Sequence, residues 1–271
     1  MNLKLTIREF ILGITAYSSA LSFIAKNKLS YFYLAPLFIA ILFWTTGFIG
    51  ISYFSEWMNT LFNNWFGVTV NETSFDFIRD YKDFISGTGK ILITIVLKIL
   101  MLYLVFRLNK YITLILISPV LAYLSERVEY ILTGVDYPFN FWRFIKDVWR
   151  GVLIAIRNMM IEFLIIIVLW LLTFFVPILL PITTVVLIGV SAYFYGFSMI
   201  DYTNERKKIN LSDSVKFIRK HKGYAIGNGL IYHVVTLIPF IGAVVAPITA
   251  AVAATLGVLK IDDKSYIKNY E

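Results

Sequence analysis

The chain has 271 residues, 59% of them hydrophobic and only 15% charged. Its mean hydropathy of +0.75 lies outside the range of soluble globular domains. The absence of cysteine excludes disulfides, thiolate metal sites and cysteine nucleophiles. A net charge of +8 in so apolar a chain points to cytoplasmic loops and anionic headgroups, not to nucleic acid. With no polar linker to divide it, the chain reads as one helical membrane domain over residues 1–271.

In chain order, residues 6–26 come first. Phe10, Ile14, Tyr17, Leu21 and Ile24 recur at helical steps, while Thr15, Ser18, Ser19, Ser22 and Lys26 share the opposite face. This pattern predicts an amphipathic helix lying in the membrane interface. It suits a signal peptide with Lys4 and Arg8 as its basic region less well. Residues 31–54 then carry no charge and are followed by Trp57 and Trp65, the pattern of a spanning helix with an aromatic belt. After a polar loop, residues 91–118 predict a second, long span, apolar at first except for Lys98 and continuing past Arg107 and Lys110 to Pro119. Leu121 to Thr133 is amphipathic, with Gly134 placed to end it.

Two stretches, 163–200 and 223–259, contain no Asp, Glu, Lys or Arg, and each is interrupted by a pair of prolines: Pro177 with Pro181, and Pro239 with Pro247. Proline removes a backbone donor and clashes with the preceding turn, so each stretch is expected to fold back as a hairpin. The leading arms, Phe163–Val176 and Tyr224–Ile238, reach about 21 to 23 Å at 1.5 Å per residue. A hydrocarbon core is about 30 Å thick, which predicts partial insertion. The trailing arm Ile182–Ile200, with 19 residues, is long enough to span by itself. Of the polar segments only the loop from Ser55 to Lys90 is net acidic, with 5 acidic residues against 3 basic ones. The positive-inside rule therefore places that loop outside and the other polar segments in the cytoplasm.

Candidate chemistry is sparse. The helices that restart near Ile182 and Ala243 present unpaired amides and partial positive charge at membrane depth, which suits an anion, while a simple hairpin turn accounts for the same prolines. Lys98 either serves an anion within the span or snorkels toward the surface near Lys90, about 12 Å away along the helix. His233 and the triplet Gly227, Asn228, Gly229 are the polar features of the second hairpin, read as pathway-lining or as helix-packing groups. Gly87-Thr88-Gly89-Lys90 lacks the first glycine and the hydroxyl residue of a phosphate-binding loop, since Phe84 and Ile91 stand there. Asn71-Glu72-Thr73 fits a glycosylation sequon, a very short pattern. Glu126 and Glu129 read as a solvated or paired face. The two histidines, His221 and His233, are too distant in sequence to suggest a metal cluster or a triad, so neither an enzyme nor a cofactor is expected. Arg206, Lys207, Lys208, Lys216, Arg219, Lys220 and Lys222 form a basic segment suited to gathering anions or to binding anionic headgroups.

Taken in order, Ser118-Pro119, Leu121 to Gly134, Ile145-Lys146-Asp147-Val148, Met199 to Tyr202 and the ending from Thr236 to Thr255 resemble the CysZ-type sulfate permeases of the etoposide-induced membrane-protein family. The similarity runs from about Lys28 to Ile261. It implies an all-α integral membrane protein with two long transmembrane helices and two partly inserted hairpins. It also implies sulfate uptake for cysteine synthesis across a bacterial inner membrane, by a homo-oligomer in contact with membrane lipids. The family's bacterial permeases carry an arginine pair shortly before the proline corresponding to Pro36. This chain has Ser30 and Tyr31 there, with Lys26 and Lys28 close by. The expected substrate-binding residues are accordingly Lys26, Lys28, Ser30, Tyr31 and Lys98. A non-transporting membrane organiser that binds lipid or protein is the alternative function.

Overall fold

The computed structural model describes residues 3–66, 90–134, 140–238 and 241–262, and every regular element among them is helical. The helices are α1 (Leu3–Lys26), α2 (Leu34–Phe66), α3 (Lys90–Thr133), α4 (Phe141–Phe175), α5 (Leu180–Arg206), α6 (Leu211–Lys220), α7 (Lys222–Thr236) and α8 (Ile241–Asp262). Short 3-10 turns at Leu29–Tyr33 and Pro177–Leu179 precede α2 and α5. The chain divides into two compact units, one of Met1–Ala40 with Tyr111–Glu271, the other of Ile41–Lys110. In the second unit α2 runs on past the expected span to Phe66, and α3 begins at Lys90. The glycine-rich segment at 87–89, the sequon at 71–73 and Pro239 lie outside the described residues.

The core of the first unit is built on α8, whose alanines and small polar residues from Ala246 to Val258 are almost all buried. Around it pack α1, α5 and α7. From α3 the stripe Leu114, Ile117, Leu121, Leu124 and Val128, spaced by threes and fours, enters the same core. Close approach rests on glycine. A Cβ at Gly227 would meet the Phe10 carbonyl of α1, one at Gly229 the Ala192 carbonyl of α5, and one at Gly196 the Ala225 carbonyl of α7. Backbones brought this near gain dispersion contacts that larger residues would prevent, as at small-residue interfaces in membranes. The hydroxyl face of α1 (Thr15, Ser18, Ser19, Ser22, Lys26) is exposed as expected, and Tyr17 and Ile24 are buried. Leu21 departs from the pattern, being exposed, and Gly13, Ala16 and Ala20 share the buried face instead.

The prolines act differently from one another. Val176 leaves the helical region at φ −133°, ψ 78°, as the residue before a proline is disfavoured from continuing a helix, and Pro177 opens the 3-10 turn that reverses the chain. Pro181 occupies the first turn of α5, where its missing N–H has no intrahelical partner to lose. Pro247, by contrast, lies inside α8, so the second hairpin turns between Thr236 and Ile241 and not at Pro247. Pro119 likewise sits inside α3. There the Ser118 hydroxyl donates to the Ile115 carbonyl at 2.8 Å, the acceptor that the proline leaves without its amide.

Among the described residues, five helical segments are long and apolar enough to cross a membrane: Leu3–Lys26, Tyr111–Thr133, Val148–Phe175, Pro177–Glu205 and Ile241–Asp262. The charge-free stretch understates the first hairpin. Its leading helix, α4, has 35 residues and begins well before Phe163, so arm length does not confine this hairpin to partial insertion. In the second hairpin α7 has 15 residues, about 23 Å, less than the thickness of a hydrocarbon core.

Candidate functional site

Four of the expected substrate residues meet at the turn that follows α1. Lys26 ends the helix, and the Asn27 amide side chain donates to the Phe23 carbonyl at 2.9 Å. Lys28 then takes the left-handed conformation, φ 57°, ψ 35°, and the 3-10 turn begins. Leu29 and Phe32 are buried as pegs, and the Tyr33 hydroxyl lies 3.1 Å from that of Thr249 on α8. Fixed from beneath in this way, the turn displays Lys26, Lys28, Ser30 and Tyr31, all exposed, with the Tyr31 ring stacked on Phe32 at 4.5 Å. Lys98 belongs to the other unit, on α3, and its side chain lies outside the described residues.

Behind this surface the first unit contains polar side chains tied to one another. Arg150 of α4 grips Asp201 of α5 with two nitrogens, Nη2 to Oδ1 at 2.9 Å and Nε to Oδ2 at 3.3 Å, and also donates to the Ile209 carbonyl. Ser214 of α6 donates to the same carboxylate, and Asn204 donates to Ser214 at 3.0 Å. Buried Glu162 accepts from Tyr111 and from Ser191, the latter at 2.7 Å. The hydroxyls of Ser125, Thr255 and Thr203 form a third group, at 2.9 and 3.4 Å. Buried charges without such partners would be strongly destabilising, so these groups act first as struts between helices. They also place polar atoms inside helices that are otherwise apolar, which is where a solute path through a membrane protein is built.

A cleft of about 430 Å³ opens on the same unit, lined by Arg157 and Ile165 of α4, Val186, Gly189 and Tyr193 of α5, Arg219 of α6 and Ile226 of α7, among others. Arg157 is held over the Phe197 ring, 5.5 Å from its centre, while its Nη1 donates to Asn158 Oδ1 at 2.9 Å. The two arginines stand far apart in sequence, one in the polar lead to the first hairpin and one in the basic segment, and nothing in their spacing announces that they share a cleft. Only the amphipathic pattern of α6, with Ile218 buried and Arg219 exposed, would have placed the second arginine on an open face.

Other sequence candidates make contacts within the first unit. Asn228 donates to the Ala250 carbonyl at 3.3 Å and its backbone carbonyl accepts from Tyr17 at 2.8 Å, so the glycine-flanked asparagine is a packing and bonding element of α7. The His233 ring lies 5.9 Å from that of Tyr195. Glu129 is buried, which fits the paired reading of that carboxylate and not the solvated one. The N-terminus of α5 sits among exposed Ile178, Leu180 and Ile182, with Thr183 and Thr184 bonded back to carbonyls of the same turn. Among the described residues, no group of three or more His, Cys, Asp or Glu could hold a metal ion.

An all-helical protein with several helices of membrane length and apolar composition belongs to the class of multi-pass membrane proteins. The chain belongs to the family described as sulfate transporter CysZ/etoposide-induced protein 2.4, whose model matches residues 16–247. Comparison with curated proteins finds no match.

Proposed function

We propose that this protein is a permease or channel for an inorganic oxyanion, sulfate in the first instance, in the bacterial inner membrane. The observation that carries this reading is the pegged turn after α1, where Lys26, Lys28, Ser30 and Tyr31 are presented together on a rigid base. Two ammonium groups attract an oxyanion, and the Ser30 hydroxyl and Tyr31 phenol supply neutral donors beside them. Lysine lacks the planar fork of arginine, so this turn holds sulfate more weakly than an arginine pair in the same place. Family membership supports the substrate class, and the description of the family names sulfate.

The test is binding of radiolabelled sulfate to the purified protein. Ser30→Arg with Tyr31→Arg raises affinity if the turn is the site, and neutralising Lys26 and Lys28 abolishes binding. No response to either pair of substitutions removes the turn from the account. The alternative, a non-transporting membrane organiser, draws on a different observation. The tip of the first hairpin exposes Phe174, Phe175 and Ile178 at 76 to 84% of their surface, an apolar patch suited to lipid or to a partner helix.

A further inference from the structure

The structure assigns a second ligand site, distinct from the proposed sulfate turn: we infer that the cleft between α4 and α5 binds an anionic phospholipid, its phosphate on Arg157 and Arg219 and an acyl chain along the aliphatic wall. This goes beyond transport and stands whether or not the protein passes sulfate.

Charge comes first. Neither Arg157 nor Arg219 is ion-paired with a carboxylate among the described residues, unlike Arg150, Lys207, Lys216 and His221. Arg157 lies within a membrane-length segment, where a cation without an anion is costly. Its guanidinium is nonetheless oriented, by Asn158 on one side and Phe197 on the other. Arg219 reaches the same cleft from α6, a short amphipathic helix with Ile218 buried and Arg219 exposed. The Tyr193 phenol lines the same cleft and adds a neutral donor to the pair. Together these groups match a phosphate diester, whose oxygens accept forked hydrogen bonds from guanidinium.

Shape then selects lipid over a free anion. From Arg157 the cleft follows α4 to Ile165, eight residues or about 12 Å along the helix, and meets Val186 and Val190 of α5 on the other wall. An inorganic oxyanion has no use for such a wall. An acyl chain fills it, and the direction is right, from the charged end toward the apolar hairpin tip at Pro177. Gly189 leaves the slot open, since a Cβ there would meet nothing within 4 Å.

The full chain, purified in a neutral detergent, is to be titrated with dioctanoyl phosphatidylglycerol, dioctanoyl phosphatidylcholine and inorganic sulfate, with bound ligand counted by native mass spectrometry. Phosphatidylglycerol is expected to bind roughly tenfold more tightly than either of the others. Arg219→Gln, on an exposed position, weakens it by a similar roughly tenfold factor through the headgroup. Gly189→Leu, a good helix former entering open space, weakens it as much through the chain. Equal binding of the two lipids, or retention of phosphatidylglycerol by both variants, overturns the proposal. So does sulfate binding as tight as the lipid and indifferent to Gly189→Leu, which marks a free-anion site. A change of oligomeric state in Gly189→Leu with lipid binding intact marks the cleft as a protein interface and overturns it as well.

Discussion

Glu9 and His221, 212 positions apart in the chain, meet inside the first unit with Oε1 and Nδ1 separated by 2.7 Å. The pair joins the start of α1 to the junction between α6 and α7, and both side chains are more than nine-tenths buried. His221→Ala leaves the Glu9 carboxylate buried without this partner and is expected to lower stability by about 3 kcal/mol. Glu9→Gln with His221→Ala recovers part of that loss, because the orphaned charge is gone. A double-mutant cycle on thermal unfolding in detergent measures the coupling, and additive losses would show that the contact contributes nothing.

Glycines divide by what surrounds them. Gly229→Ala drives a methyl into the Ala192 carbonyl of α5 and is expected to cost about 1 to 3 kcal/mol. Gly189→Ala enters open space within a helix and is expected to stabilise by up to about 1 kcal/mol. Opposite shifts of the unfolding midpoint check the pair; shifts of the same sign would contradict the packing described for α5 and α7.

How much of this was legible in the sequence follows from range. The hydroxyl face of α1, the reversal at Pro177 and the apolar helices are local patterns, and local patterns survive into the fold. Pro119 and Pro247 misled because a proline's effect depends on whether its lost hydrogen bond is replaced, as Ser118 does for Pro119, and a neighbour's rotamer is not written in the sequence. Measuring an arm by its charge-free stretch also failed for α4, since Arg150 finds Asp201 and Glu162 finds Tyr111 and Ser191, so charges continue the helix instead of ending it. The GYAIGNG segment announced glycine but not its use, because Gly223 and Gly227 face the Thr6 and Phe10 carbonyls of α1 and Gly229 faces the Ala192 carbonyl of α5. Arg157 with Arg219 was invisible for the same reason: convergence across elements has no local signature.

Acid should loosen α6. Asp213 is held below its ordinary value of 3.8 by hydrogen bonds from Lys216 and Asn210 and by the Lys216 charge, while its amide donates to the Asn210 cap. A folded-state value below the unfolded one means that the contribution is fully present above pH 3.8 and is lost as pH falls through the lowered value. Hydrogen exchange of α6 amides, normalised for intrinsic rates, should accelerate in that acid window and not in Asp213→Asn. Identical profiles for both proteins would sever the link between this carboxylate and the helix.

Lys28 offers a clean separation of charge from conformation. Its positive φ favours glycine, so Lys28→Gly keeps the turn while removing the ammonium. Unfolding is expected to be unchanged or slightly raised, by no more than about 1 kcal/mol, with sulfate binding reduced. Retained binding would shift the burden of recognition to Lys26 and the neutral donors.

Sulfate flux into proteoliposomes of purified protein decides whether the protein transports. Uptake is expected to exceed that of empty vesicles, and to be slower when Lys26 and Lys28 are both neutralised and faster at low sulfate in Ser30→Arg with Tyr31→Arg. Flux indistinguishable from empty vesicles in both the wild-type and double-arginine proteins, with the protein folded and inserted, would contradict transport and leave the membrane-organising function in its place.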